Sequence, residues 1–87
     1  MLFPIGCLVA TPAVLGAISD EDFVTALDRH VRGDWGDVCS EDRRQNDLAL
    51  KQGMRLFSVY HTKEKTKFWI ITEADRSATT VLLPEDY

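Results

Sequence analysis

The 87-residue chain contains none of the motifs that fix a chemistry on their own. It has no EF-hand spacing, no HExxH pair, no P-loop and no glycine-framed nucleophile, so no calcium loop, zincin centre, phosphate cradle or nucleophile elbow is written into it. Cysteine is scarce. Cys7 and Cys39 lie in different segments without CxxC or Cys/His ligand spacing, which leaves two reduced, packed thiols of a cytoplasmic protein as the expectation. Positive charge is also in deficit. Ten Lys and Arg stand against fourteen Asp and Glu, a net charge of −4, and a chain of that sign has no bulk attraction to phosphate backbones or anionic lipid.

Charge is missing altogether from residues 1–19, MLFPIGCLVATPAVLGAIS. An export signal needs a positive n-region ahead of its apolar core, and none is present. A membrane-spanning helix needs about 20 uninterrupted apolar residues, whereas Pro4, Gly6, Pro12 and Gly16 break this run. A buried strand over Gly6–Ala10 followed by a helix is the expected use of the segment. Thr11 can cap that helix with its hydroxyl, and Pro12 suits the first helical position, where the missing amide proton is not needed.

What the chain does hold is KFWIITEADRSATTVLLP, from Lys67 to Pro84. Two runs of β-branched, aromatic and apolar residues flank a polar link, the pattern of paired antiparallel strands. The first run has no polar face: Phe68 and Ile70 point one way, Trp69 and Ile71 the other, which is the composition of a central strand. Met54–Tyr60 reads as a further strand, joined to Lys67 by a charged tip.

Two more helices are expected before the strands. Ser19 and the acidic first turn Asp20–Asp22 open one over Asp20–Arg32, whose apolar stripe is Phe23, Ala26, Leu27, His30 and Val31, and Gly33 ends it. Ser40 opens the other as its cap and Gly53 stops it. Its middle, Asp42–Asp47, is almost wholly polar, so only Leu48, Ala49 and Leu50 are expected to reach a core. The whole is expected to be one α+β domain of order β-α-α-α-β-β-β, with an antiparallel sheet of three or four strands and helices on one face.

Four candidate sites emerge. With a two-sided central strand and few amphipathic helices, one sheet face is left over for a protein partner or a second copy of the chain, through Trp69 and Ile71 with Phe57 and Leu82 beside them. Trp35 in the turn GDWGD is either a lid folded over the core or a partner anchor, and Arg76 in the polar link is a further partner contact. The acidic loops, Asp34 with Asp37 and Glu73 with Asp75, together with His30, could hold a hard cation for a hydrolase or nuclease if they converged. Lys63, Lys65 and Lys67 with Tyr60 and Phe68 are the one basic patch with aromatics beside it, the minimum for a nucleic-acid accessory. The trio Asp75-Arg76-Ser77 reads as turn bonding rather than catalysis, because neighbours in a turn do not face one another.

HVRGDWGDV, the later NDLALKQGMRLFSVY and the C-terminal KFWIITEADRSATTVLLPEDY together resemble a family of small uncharacterised bacterial proteins carried on plasmids, prophages and integrative elements, sometimes labelled plasmid-related or restriction-associated. The resemblance spans residues 29–87 and supplies no catalytic residues and no cofactor. It implies a cytoplasmic accessory of a mobile genetic element. Joined to the leftover apolar surface, it leads to a non-enzymatic interaction protein that binds a host or element-encoded protein.

Overall fold

The computed structural model describes residues 1–87. Strand β1 (Cys7–Ala10) leads into helices α1 (Pro12–Ala17), α2 (Asp20–Val31) and α3 (Ser40–Gln52). Strands β2 (Leu56–His61), β3 (Lys67–Thr72) and β4 (Ala78–Leu82) follow, then a 3₁₀ turn over Pro84–Asp86. The domain is α+β in the expected order, with the sheet arranged β1-β4-β3-β2. β3 is central and antiparallel to both neighbours. β1 joins the edge of β4 in parallel, so the sheet is mixed rather than antiparallel throughout. A parallel neighbour is what a strand followed by a long helical crossover can supply, since a tight hairpin can return only an antiparallel one.

Local chemistry places the helices much as their ends suggest. The Thr11 hydroxyl accepts from the Val14 amide at 3.2 Å and the Ser19 hydroxyl from the Asp22 amide at 3.1 Å. α3 differs. Its N-cap is Cys39, which makes no side-chain bond, and Ser40 is already helical.

The strand alternation divides the core. On the helix-bearing face Tyr60, Phe68, Ile70 and Val81 pack with Val14 and Ala26, while Leu56 packs with Phe3, Trp35 and Ala49. Between these two apolar clusters runs a polar seam of His30, Ser58, Thr72 and Thr79, all fully buried.

α3 is docked by polar side chains that its low hydrophobicity conceals. The Asn46 side-chain amide donates to the Phe57 carbonyl at 2.7 Å and its oxygen accepts from the Phe57 amide at 3.0 Å. It thereby takes the place of a neighbouring strand along the outer edge of β2. Two residues on, the loop before α3 completes the edge: the Val59 amide donates to the Trp35 carbonyl at 3.1 Å, and the Asp37 amide to the Val59 carbonyl at 2.7 Å. Gly36 makes this approach possible. Its φ is +77°, and a Cβ there would collide with the Val59 carbonyl oxygen and the Tyr60 ring.

Candidate functional site

Alternation along the strands puts Phe57 and Val59 of β2, Trp69 and Ile71 of β3, Thr80 and Leu82 of β4, and Cys7 and Val9 of β1 on the face that carries no helix. This is the surface left over by the sequence accounting. It is narrower than expected, because Ile71 is only 3% exposed and Leu82 only 6%. Phe57 meets Trp69 edge to face, with ring centroids 4.9 Å apart, and Tyr87 closes on the other side of Trp69 at 5.9 Å.

The C-terminal turn brings Tyr87 there. Asp86 ties the turn down by accepting from the Thr11 hydroxyl at 2.7 Å and the Leu83 amide at 3.1 Å. Arg55 lies 5.4 Å above the Tyr87 ring, donates to its hydroxyl at 2.8 Å and approaches Glu73 at 3.9 Å. Trp69, Phe57 and Val59 remain half-buried, and Val9 and Cys7 are exposed at the margin. Tyr87 and Arg55 were not singled out by pattern reading: Tyr87 lies beyond the last strand, and Arg55 is a lone charged residue near the start of the strand expected over Met54–Tyr60.

Trp35 is an interior residue and not a free anchor. It is 2% exposed, stacks on Phe3 at 6.3 Å, and donates its indole N–H to Asp47 at 2.9 Å. That one polar handle needs a partner inside the protein, and the polar stretch of α3 supplies it. Arg76 likewise turns inward. It sits at φ +61° and donates to the carbonyls of Met54, Glu73, Ala74 and Ala49 at 2.6–3.3 Å, with its guanidinium 5.6 Å from the Phe3 ring. Five fixed N–H donors suit carbonyls converging from the end of α3 and from the β3–β4 link.

The acidic loops do not converge. Asp34 accepts both arms of Arg29 at 2.8 and 3.2 Å, and Arg29 holds its carboxyl below the usual range. Asp37 meets His61 at 2.7 Å. Glu73 faces Arg55, and the Ser77 hydroxyl, followed by the Ser77 amide that donates to Asp75 at 3.0 Å, holds the Asp75 carboxyl below its usual pKa. The two loops lie at opposite ends of β2, roughly 15 Å apart at about 3.3 Å per residue. No three His, Cys, Asp or Glu side chains come together where one cation could be held. Asp75-Arg76-Ser77 is turn bonding, as its adjacency implies.

The lysine hairpin also separates from its aromatics. Lys63, Lys65 and Lys67 are exposed, but Tyr60 and Phe68 point into the helix-bearing core at 1% exposure and offer no stacking platform. Burial raises the Tyr60 phenol to about 12, and its hydroxyl donates to the Asp34 carbonyl at 2.6 Å. Neither cysteine is packed. Both are exposed, Cys7 on the edge strand and Cys39 ahead of α3, because β1 has only one neighbour and the cap position of α3 faces outward.

His30 is the centre of the buried seam. Its Nδ1 lies 2.6 Å from the Ser58 hydroxyl and its Nε2 2.8 Å from that of Thr72. Thr72 in turn is 2.8 Å from Thr79, whose hydroxyl donates to the Ile5 carbonyl at 2.8 Å. A carbonyl only accepts, so the order of donors is fixed from Nε2–H to Thr72, Thr72 to Thr79 and Thr79 to Ile5, and because burial lowers the pKa of His30 to about 4, Nδ1 is unprotonated and accepts from Ser58. His30 is therefore the neutral Nε2–H tautomer. Phe3 and Trp35 press edge-on against its ring at 5.3 and 5.7 Å. A Ser–His pair at hydrogen-bond distance is the beginning of a nucleophile, yet both side chains have zero exposure and no substrate can reach them.

No protein-family model, curated protein or solved structure matches the chain.

Proposed function

We propose that the chain is a non-enzymatic interaction protein, a cytoplasmic accessory of a mobile genetic element that binds a host or element-encoded protein such as a defence or restriction component. The binding surface is the helix-free face of the sheet. The observation that carries this reading is the state of that face: Trp69, Phe57 and Val59 stand half-buried, with only Tyr87 of the C-terminal turn set against Trp69. Partly exposed aromatics grouped with aliphatic side chains are the composition of binding hot spots. The association with mobile elements rests on the sequence resemblance over residues 29–87. In support of the membrane-free setting, no helix is long and apolar enough to cross a membrane.

The test is a tagged pull-down from the native host, read by mass spectrometry, with wild-type protein beside Val59→Glu and Trp69→Gln. Both variants are to be checked for an unchanged far-UV spectrum. A protein retained by the wild type and released by both variants is expected. Identical retention by all three would remove the helix-free face from consideration.

A further inference from the structure

Residues 84–87 lie against the helix-free face and are lightly held. Their 3₁₀ turn contains no buried residue, and Tyr87 is 71% exposed. The side-chain bonds that fasten them, from Thr11 and the Leu83 amide to Asp86 and from Arg55 to the Tyr87 hydroxyl, all lie at the surface. A segment fastened by exposed hydrogen bonds, with little apolar area buried, opens at low cost.

What lies beneath is fixed by the strands. Trp69 stands opposite Val59 on one side and Leu82 on the other, and Phe57 meets its ring edge to face at 4.9 Å. Arg55, just ahead of β2, has Glu73 3.9 Å from its Nε and turns another arm to Tyr87. The Tyr87 ring is thus met in three ways: edge to face by Trp69 at 5.9 Å, by a guanidinium 5.4 Å from its centroid, and by an N–H on its hydroxyl oxygen at 2.8 Å.

We infer that Tyr87 holds the place of a tyrosine side chain of the partner, which takes over all three contacts as residues 84–87 swing away. The inference rests on the helix-free face being the partner surface. The kind of occupant is read from the one seated there. Arg55 offers donors only. A tryptophan would bring an N–H that Arg55 cannot accept, a phenylalanine would leave that donor without an oxygen, and a carboxylate would satisfy Arg55 but leave Trp69 uncovered. A phenol answers the ring and the donor together. Because the chain's own tyrosine competes for the place, apparent affinity falls in proportion to the fraction of molecules in which the turn is open.

The first test needs no partner. N-acetyltyrosinamide is titrated into the full chain and followed by the Trp69 indole N–H signal, with that of Trp35, buried and bonded to Asp47, as internal reference. Tyr87→Ala is expected to bind this amide about tenfold more tightly than wild type, as for a turn closed in about nine molecules of ten. It is expected to prefer the tyrosine amide over N-acetylphenylalaninamide, and Arg55→Met in the same background to erase the preference. Equal binding by wild type and Tyr87→Ala, binding by neither, or no preference for the tyrosine amide overturns the inference. If Arg55→Met loses the native far-UV spectrum, the two amides compared in Tyr87→Ala decide alone.

The second test is the pull-down. Tyr87→Ala, and Asp86→Ala, which unties the turn from Thr11 and Leu83, are expected to retain more partner than wild type, and the tyrosine amide is expected to elute it. Retention that falls in Tyr87→Ala makes Tyr87 part of the partner surface and overturns the inference. A host protein retained by no variant counts against the face as a partner surface, while the amide titration still decides what the place of Tyr87 accepts.

Discussion

Between pH 6.5 and 5 acidification should act on this fold mainly through one side chain. His30 is buried and neutral between Ser58 and Thr72, and its pKa is lowered from 6.5 to about 4, first by burial and second by the charge of Arg76. In the unfolded chain it returns to the ordinary imidazole value. Between those two pH values the unfolded state therefore binds a proton that the native state refuses, and stability rises with pH across the window. The contribution is complete above pH 6.5 and is lost progressively as pH falls toward 4. The whole difference corresponds to about 3 kcal/mol, of which about 2 kcal/mol is gone by pH 5. For a domain of this size that lowers Tm by roughly 8–16 °C.

The structure also says why protonation is resisted. A proton on Nδ1 would turn the acceptor for the Ser58 hydroxyl into a donor, and the positive ring would lie against Phe3 and Trp35 with no carboxylate within reach of either nitrogen. The assay is thermal and urea unfolding at pH 7.5, 6, 5 and 4.5 in a His61→Gln background, where His30 is the only imidazole. The same series in His30→Gln should lose the slope between pH 6.5 and 5, whatever its starting stability. Nitrogen chemical shifts should report the Nε2–H tautomer down to pH 5. A wild-type Tm that is flat from pH 7.5 to 5, or an imidazole titrating near 6.5 in the folded protein, would refute the reasoning.

Three further outcomes follow from the same contacts. Asn46→Leu leaves the Phe57 amide and carbonyl without partners and should cost about 1–3 kcal/mol, with faster hydrogen exchange at the Phe57 amide; Asn46→Asp should restore protection only in part, because a carboxylate accepts from the amide but cannot donate to the carbonyl. Gly36→Ala forces a side chain into the Val59 carbonyl at a positive φ, and a denaturant midpoint equal to wild type would contradict the tight approach of that loop, for which a loss of about 2 kcal/mol or more is expected. Arg76→Lys keeps the charge but cannot span four carbonyls, so it should destabilise by about 1–2 kcal/mol, visible as earlier fraying of residues 49–54 in exchange experiments.

Hydrophobic periodicity and cap chemistry made most of the fold legible. The runs around Phe68–Ile71 and Thr79–Leu82 placed the centre of the sheet, and Thr11, Pro12 and Ser19 placed the helix starts. The direction of β1 was not legible, because a four-residue strand carries no signal of the partner it joins or in which sense. Nor was the docking of α3, since its contacts run through Asn46 and Asp47, residues that a hydrophobic count assigns to solvent. The candidate site was legible by subtraction only: alternation put Trp69 and Ile71 on the outer face, but that Tyr87 would swing back beside Trp69 depends on the Asp86–Thr11 bond between opposite ends of the chain. Arg76 and Trp35 looked like binding residues because their chemistry suits interfaces. The same chemistry, a fixed fork of donors and a ring with one polar handle, suits interior capping equally well.

These misassignments share a cause that bears on function. The polar side chains that drew attention in the sequence are spent on the fold itself: His30 joins two apolar clusters, Asn46 closes one sheet edge, Asp47 receives Trp35, and Arg76 gathers the carbonyls around the end of α3. Every buried side-chain nitrogen or oxygen has a partner. What remains uncommitted is of another kind, namely half-buried aromatic surface at Trp69 and Phe57 beside a lightly held Tyr87. Apolar area does no chemistry on a small molecule; it gains free energy by being covered. The proposals of a partner on the sheet face and of a partner tyrosine in the place of Tyr87 follow from that division, and they are separable because Val59→Glu tests the first through capture and the amide titration of Tyr87→Ala tests the second without a partner.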